Sequence, residues 1–277
     1  MGVAPEQVTV VVTTYNRPDA LELVLQGLAH QSVQGFEVIV ADDGSTADTA
    51  SLIQQQATSS PYSLQHVWQP DEGFRAAASR NRALAVTSTD YIIFIDGDCV
   101  PRVNFIEQHC RFAEPGWFIA GNRILLSEKF TQKVIAFSLP LWGWGLGQWL
   151  SCFIQGQAKR VHPILFTLPN NGIRKLKPHR WQGAKTCNIG VWRQDLIDIN
   201  GLDETYHGWG HEDADMVIRL IRNGILRKEG RYGAPVFHLW HAHNDRSREQ
   251  LNQQRLAHIL QSTNITAELG VNQYLSN

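Results

Sequence analysis

The chain has 277 residues, 43% of them hydrophobic and 18% charged, with a formal net charge of −1. That is the profile of an ordinary soluble globular protein of one large or two modest domains, without repeats or low-complexity tracts. Four cysteines (Cys99, Cys110, Cys152, Cys187) lie far apart with no C-x-x-C pair. This argues against a disulfide framework or zinc knuckle and fits a reducing cytoplasm. No basic, apolar leader precedes the first strand, and no nucleic-acid partner is expected. The charge is unevenly spread: from Lys129 to Arg193 there are ten Lys or Arg and no Asp or Glu.

Val8 to Thr13 (VTVVVT) is an almost wholly apolar run, the pattern of a strand covered on both faces. Thr14-Tyr15-Asn16-Arg17-Pro18 breaks it, and Asp19 starts a helix with Leu21, Val24, Leu25 and Leu28 at helical spacing. A second strand, Phe36 to Ala41, ends in Asp42-Asp43-Gly44-Ser45, and a helix is expected over Ala47 to Ala57. Leu64 to Gln69 reads as a third strand. Glu72-Gly73-Phe74-Arg75 then opens a helix carrying Arg80, Asn81 and Arg82. Ile92 to Ile95 forms the next strand and ends in Asp96-Gly97-Asp98. This alternation predicts an α/β fold, a Rossmann-like and mostly parallel sheet with right-handed crossovers.

No G-x-G-x-x-G follows the first strand, so a dinucleotide is not expected. Polar groups do stand at three strand ends: Thr13 and Tyr15, Asp43, and Asp98. An aspartate can accept the N3–H of a uracil, a tyrosine can stack on its ring, and arginines at a helix start, such as Arg17, can neutralise a diphosphate. Asp96 and Asp98, with a glycine between them so that the backbone passes close, suit a divalent cation bridging diphosphate oxygens.

VVVTTYNRPDAL, VIVADDGSTADT, EGFRAAASRNRAL and DYIIFIDGDCVP resemble, in order and spacing, the successive blocks of family 2 glycosyltransferases with the GT-A fold. The resemblance covers roughly Val8 to Phe105 and implies a UDP-sugar donor, with Asp98 the main metal-binding residue of a D-x-D motif. It also implies nucleoside contacts at Thr13, Tyr15 and Asp43, and diphosphate or ribose contacts at Arg75, Asp96 and Arg80.

Ser127 to Arg180 is less regular, with Trp142, Trp144, Trp149 and Trp181 in or beside it. Order returns at Gly183 to Gly190, a loop suited to close backbone approach to a ligand. Gly208-Trp209-Gly210-His211-Glu212-Asp213-Ala214-Asp215 then opens a helix with Ala214, Val217, Ile218 and Ile221 on one face and Gly224 as its stop. Its first turn holds Glu212, Asp213 and Asp215, where carboxylates offset the helix dipole or serve as a general base. WGHEDAD resembles the W-G-x-E-D block of β-1,4-galactosyltransferases and chondroitin-polymerase-like enzymes. That implies Asp213 as the base of an inverting displacement, with Glu212 and Trp209 near the acceptor. His211 departs from the small residue usual there, which leaves acceptor preference open. His238, His241 and His243 follow; in the galactosyltransferase-like pattern metal ligands stand three apart here, which His238 and His241 match. On a regular strand those two would point to opposite faces, so the segment must turn if both bind. Imidazole beside oxygen ligands favours Mn²⁺ over Mg²⁺. Gln250 to Leu269 is expected to be helical and to pack on the outside.

These readings divide the chain into a nucleotide-sugar-binding half (1–125), an acceptor-binding and catalytic-base half (126–245) and a helical segment (246–277). The expected function is metal-dependent, inverting transfer of a hexose or N-acetylhexosamine from a UDP-sugar to a glycan or lipid-linked glycan, as in cell-surface polysaccharide or lipopolysaccharide synthesis. A sugar nucleotidyltransferase would need a Gly-rich, basic loop after the first strand, which TTYNRP is not. A non-catalytic nucleotide-sugar binder would have no need of Asp213 or the histidines. Phe137 to Ile154, rich in Trp and Leu and flanked by Lys133, Lys159, Arg160, Arg174, Lys175, Lys177 and Arg180, points to a peripheral position on an anionic membrane, at its cytoplasmic face.

Overall fold

A computed structural model describes residues 2–242 and 245–275. The first strand, β1 (Val8–Thr14), is buried on both faces because its side chains alternate between two cores. Val8, Val10 and Val12 join one core and Val11 the other. Helix α1 (Pro18–Ala29), β2 (Glu37–Asp42), α2 (Ala47–Ala57), β3 (Ser63–Trp68), α3 (Ala76–Val86) and β4 (Tyr91–Asp96) continue the alternation as expected. Then come β5 (Cys99–Pro101), α4 (Phe105–Phe112), β6 (Trp117–Ala120), β7 (Asn122–Leu126), α5 (Glu128–Ala136), α6 (Leu146–Ile154) and β8 (Ala158–Lys159). The chain ends with β9 (Asn188–Trp192), α7 (Arg193–Asp198), α8 (Glu212–Arg222), β10 (Leu226–Glu229), β11 (Pro235–His238) and α9 (Glu249–Gln261).

The larger sheet has seven strands in the order β10-β6-β9-β4-β1-β2-β3. All of its pairings are parallel except those of β9, which runs antiparallel between β4 and β6. Strand order reverses at β1, whose neighbours are β2 and β4, and the crevice beyond such a reversal is where open α/β sheets take ligands. The register puts polar ends level there: Thr13 pairs with Asp96, and Thr14 with Asp42. Because β9 is antiparallel, its first residue, Asn188, pairs with Ile95. The loop before β9 therefore opens at the same edge. The sheet thus draws strands from both sides of residue 125.

A smaller sheet, β5-β11-β7-β8, was not foreseen. Its strands are two to five residues long, too short for a periodic pattern. The C-terminal helix also differs from expectation. It ends at Gln261 rather than Leu269, and the following chain turns back to bond Ile199 and Asp203. α9 covers α8 through Leu256 and Ile259 against Ile218, while Met216, Val217 and Leu220 on the other side of α8 enter the core.

Candidate active site

The crevice at the sheet edge measures about 860 Å³ and is lined by Thr13, Tyr15, Arg17, Asp43, Arg80, Asp96, Asp98, Trp209, Glu212, Asp213, His238 and His241 among others. Twelve residues picked out along the sequence thus meet in one cleft, whereas Arg75 and Asp215, also named, are absent from its wall. The Arg75 guanidinium pairs with Glu72, and its backbone serves the site instead, the N–H donating to Asp43 Oδ2 at 2.7 Å and the carbonyl accepting from Gln69 Nε2 at 3.4 Å. Arg75 precedes the first residue of α3, whereas Arg80 sits one turn in and points at the strand ends.

Arg80 is the buried organiser. Its Nε donates to Thr13 Oγ1 (3.0 Å), one terminal nitrogen to Asp96 Oδ1 (3.1 Å), and the other to Glu212 Oε1 (3.5 Å). Strand β1, strand β4 and helix α8 are tied together through one guanidinium. The carboxylates it meets still dislike their surroundings. Burial pushes Asp96 up to about 6, with Arg80 opposing and Asp98 adding to the rise. Burial and the neighbouring Asp213 push Glu212 up to about 7. Asp43 is also raised by burial, to about 6, although Gln69 Nε2 (2.6 Å) and the Arg75 amide hold it. Tyr15 is 46% exposed at the cleft, its hydroxyl donating to Asp71 Oδ2 at 2.8 Å.

Gly97 permits the close passage its position suggested. Its amide donates to Thr13 O at 2.7 Å, and a Cβ there would lie 3.0 Å from both that oxygen and Thr14 Oγ1. Beyond it, Asp98 faces two imidazoles: Oδ2 is 3.6 Å from His238 Nε2 and 3.4 Å from His241 Nε2. β5 and β11 bring this about, since Cys99 pairs with His238 and Leu239 N donates to Asp98 O. The strand ends at His238, and Trp240 N bonds Thr131 Oγ1, so the chain bends enough for His241 to swing to the same side. His243 lies outside the described residues.

A divalent cation suits this cluster. Ligand atoms about 2.1 Å from one ion stand roughly 3–3.5 Å apart, close to the observed spacing. His241 Nδ1 lies 2.6 Å from Ala242 O, a carbonyl that can only accept, so Nδ1 carries a proton, and Nε2, on the side of Asp98, is the nitrogen left to ligate in the neutral ring. Burial lowers the pKa of His238, which likewise favours its neutral, ligating form. The alternative set with Asp96 and Cys99 is chemically poorer. Burial raises the Cys99 thiol well above its usual range, and its S–H points to Asp98 Oδ1 at 3.5 Å.

Across the cleft, Asp213 stands in the first turn of α8 as expected. Its Oδ1 accepts from Thr186 Oγ1 (2.5 Å) and Thr186 N (3.2 Å), leaving Oδ2 free of those bonds. Thr186 belongs to the loop before β9 but carries no motif of its own, and the sequence did not single it out. Arg123, Lys185, Trp240 and Arg246 are further wall residues that went unnamed. The third carboxylate of the turn, Asp215, faces away and forms a buried pair with Arg219. His211 has φ +75°, a left-handed backbone that glycine adopts freely and other residues only at some cost.

Residues 9–163 match the model of glycosyl transferase family 2, and residues 171–236 match one described as the N-terminal domain of galactosyltransferase. The chain belongs to glycosyl transferase family 2. Among curated relatives it is 35% identical over 249 residues to a hyaluronan synthase of Pasteurella multocida, covering 82% of this chain and 24% of that protein. A chondroitin synthase of Escherichia coli is 30% identical over 240 residues, covering 83% of this chain and 34% of the other. A validoxylamine A glucosyltransferase of Streptomyces hygroscopicus subsp. jinggangensis (strain 5008) is 25% identical over 247 residues, covering 78% and 52%. The chain therefore spans between about a quarter and a half of the length of these relatives. The fold is that of GT-A members of known structure. The mannosyltransferase PcManGT of Pyrobaculum calidifontis, in complex with GDP-Man and Mn²⁺, superposes with a TM-score of 0.58 at 17% identity, covering 94% of this chain and 65% of that one. S. aureus TarS 1–349 in complex with UDP gives 0.60 at 15% identity, covering 96% and 68%.

Two expectations about the basic stretch need correction. Arg174 is not a surface charge: it is buried, donates to the carbonyls of Leu168, Pro169, Glu229, Arg231 and Tyr232, and lies over the Phe112 ring. Trp142 and Trp149 are buried too, Trp149 stacking on Phe237 at 4.1 Å. Among the described residues no helix is long and apolar enough to cross a membrane.

Proposed function

We propose that this chain is an inverting, metal-dependent glycosyltransferase that moves a hexose or N-acetylhexosamine from a UDP-sugar to a glycan or lipid-linked glycan acceptor. The observation that carries this reading is the pairing, within one crevice at the strand ends, of the Asp98–His238–His241 cluster with a separately oriented Asp213. A nucleotide-sugar binder has no use for the second of these. Mn²⁺, or Mg²⁺, held by Asp98, His238 and His241, would neutralise the charge that grows on the departing diphosphate. Tyr15 offers its exposed ring to the uracil, and Thr13 and Asp43 offer polar contacts to the nucleoside. Arg17 stands at the diphosphate side. Thr186 aims Asp213, whose Oδ2 takes the proton of the attacking acceptor hydroxyl as the new glycosidic bond forms on the face opposite the departing UDP. Glu212, protonated in part at neutral pH, and Trp209 border the acceptor. Relatives named for hyaluronan and chondroitin synthesis support a polysaccharide product, and a position at the cytoplasmic face of a membrane would suit a lipid-linked acceptor.

The test is transfer from a panel of UDP-sugars, with and without Mn²⁺. Metal-dependent release of UDP coupled to acceptor elongation is the expected result. Full activity in excess chelator would overturn the metal assignment, and nucleotide-sugar binding without turnover on any glycan would favour the binder.

A further inference from the structure

We propose that the outer face of α6, together with the basic edge of α5, docks this chain on an anionic lipid bilayer beside the mouth of the crevice. Along α6, Trp149 and Cys152 are buried, whereas Leu146, Leu150, Phe153 and Ile154 are exposed, Ile154 to 82%. Offsets of four, seven and eight residues put those four on one stripe of a helix. The helix cannot roll to hide them. Trp149 stacks on Phe237 and meets Trp144, which packs against Phe130 of α5. Phe137, just after α5, is 70% exposed as well. Contiguous apolar patches of this kind mark interaction surfaces on soluble proteins.

Charge selects the occupant. Lys129 and Lys133 are exposed one turn apart on α5. Lys159 and Arg160, both exposed, follow α6 within six residues, and no carboxylate occurs from residue 129 to 193. An apolar stripe edged by cations fits hydrocarbon lying under anionic headgroups. A second copy meeting stripe to stripe about a two-fold axis would set these cations against their equivalents. Glu128, Thr131, Gln132 and Ile135 of the same α5 line the crevice. Lys129 and Lys133 occupy the adjoining face, so docking brings the crevice mouth to the bilayer.

The experiment is co-flotation of the full chain with vesicles of phosphatidylcholine and phosphatidylglycerol in equal parts, and with phosphatidylcholine alone. Binding is expected to the mixed vesicles at low salt and to weaken as the Debye length shrinks towards about 10 Å at 0.1 M. Replacing Lys129→Gln and Lys133→Gln together should lower partitioning about thirty-fold, at ~1 kcal/mol for each lysine near the surface. Phe153→Ser with Ile154→Ser should abolish flotation, with near-UV circular dichroism and melting unchanged as proof of folding. The proposal is overturned if the unsubstituted chain fails to float, or if folded variants float equally well. It is overturned too if the chain dimerises and Phe153→Ser with Ile154→Ser disperses the dimer, which would assign the stripe to a second copy. Flotation without UDP-sugar turnover would leave this surface standing and remove only the proposed function.

Discussion

Glu212→Gln should stabilise the protein above neutral pH while impairing the site. Glu212 titrates at about 7 in the folded chain against an ordinary 4.5, chiefly because burial penalises its charge and Asp213 repels it. The folded state therefore binds more protons than the unfolded state between those values, and stability falls as pH rises through that window. At about 1.4 kcal/mol per pH unit, keeping Glu212 ionised at pH 8 costs on the order of 3 kcal/mol. Glutamine keeps an acceptor for Arg80, 3.5 Å away, and never ionises. The measurement is thermal or urea unfolding of both proteins, free of metal and donor, from pH 4 to 8. The variant should match the parent near pH 4 and exceed it by about 6–12 °C at pH 8, taking 2–4 °C per kcal/mol as a rough conversion for a chain of this size. An offset of the same size at every pH, or a less stable variant at pH 8, would refute the argument. The first result would mean that folding does not shift the titration of Glu212, and the second that the ionised Glu212–Arg80 contact outweighs the desolvation of the carboxylate.

Asp213→Asn should lower turnover by about 10²–10⁴-fold with nearly unchanged UDP-sugar affinity by calorimetry; a larger loss from Glu212→Gln would move the base to that residue. His238→Ala and His241→Ala should each raise the Mn²⁺ concentration needed for half-activation, and Asp98→Ala should abolish metal-dependent donor binding. Unaltered Mn²⁺ titrations in all three would remove the ligand assignment. Asp215→Asn should cost about 3–5 kcal/mol in urea unfolding, because it strips a buried Arg219 of its counter-charge. Loss of less than about 1 kcal/mol would show that the carbonyls of Ile199 and Gly201, which also accept from Arg219, suffice for the guanidinium.

The sequence by itself determined the parallel α/β unit and most of the cleft. Runs such as VTVVVT and YIIFID can be satisfied only by a strand buried on both faces, and a parallel sheet places all their C-terminal ends at one edge. Asp43, Asp96 and Asp98 were therefore legible as a group, as were Glu212 and Asp213 in the first turn of an amphipathic helix. Tertiary structure decided which side chains of each local motif reach the cleft. Arg75 and Arg80 look alike in sequence, yet Arg75, just ahead of α3, turns to Glu72, while Arg80, one turn into the helix, reaches between Thr13, Asp96 and Glu212. Thr186 acquires its role only because an antiparallel strand from far along the chain enters beside β4. His238 and His241 converge on Asp98 through a strand of four residues, β11, and a bend, neither of which has a periodic signature. Arg174 reads as a surface group because burying a charge is costly, and only a ring of carbonyls, some of them distant in sequence, offsets that cost; Trp149 is drawn into the core by stacking on Phe237. Periodicity records how a segment divides between core and solvent. The partners that make a buried charge tolerable, or that stack on a buried indole, come from elsewhere in the chain, and only the folded structure brings them together.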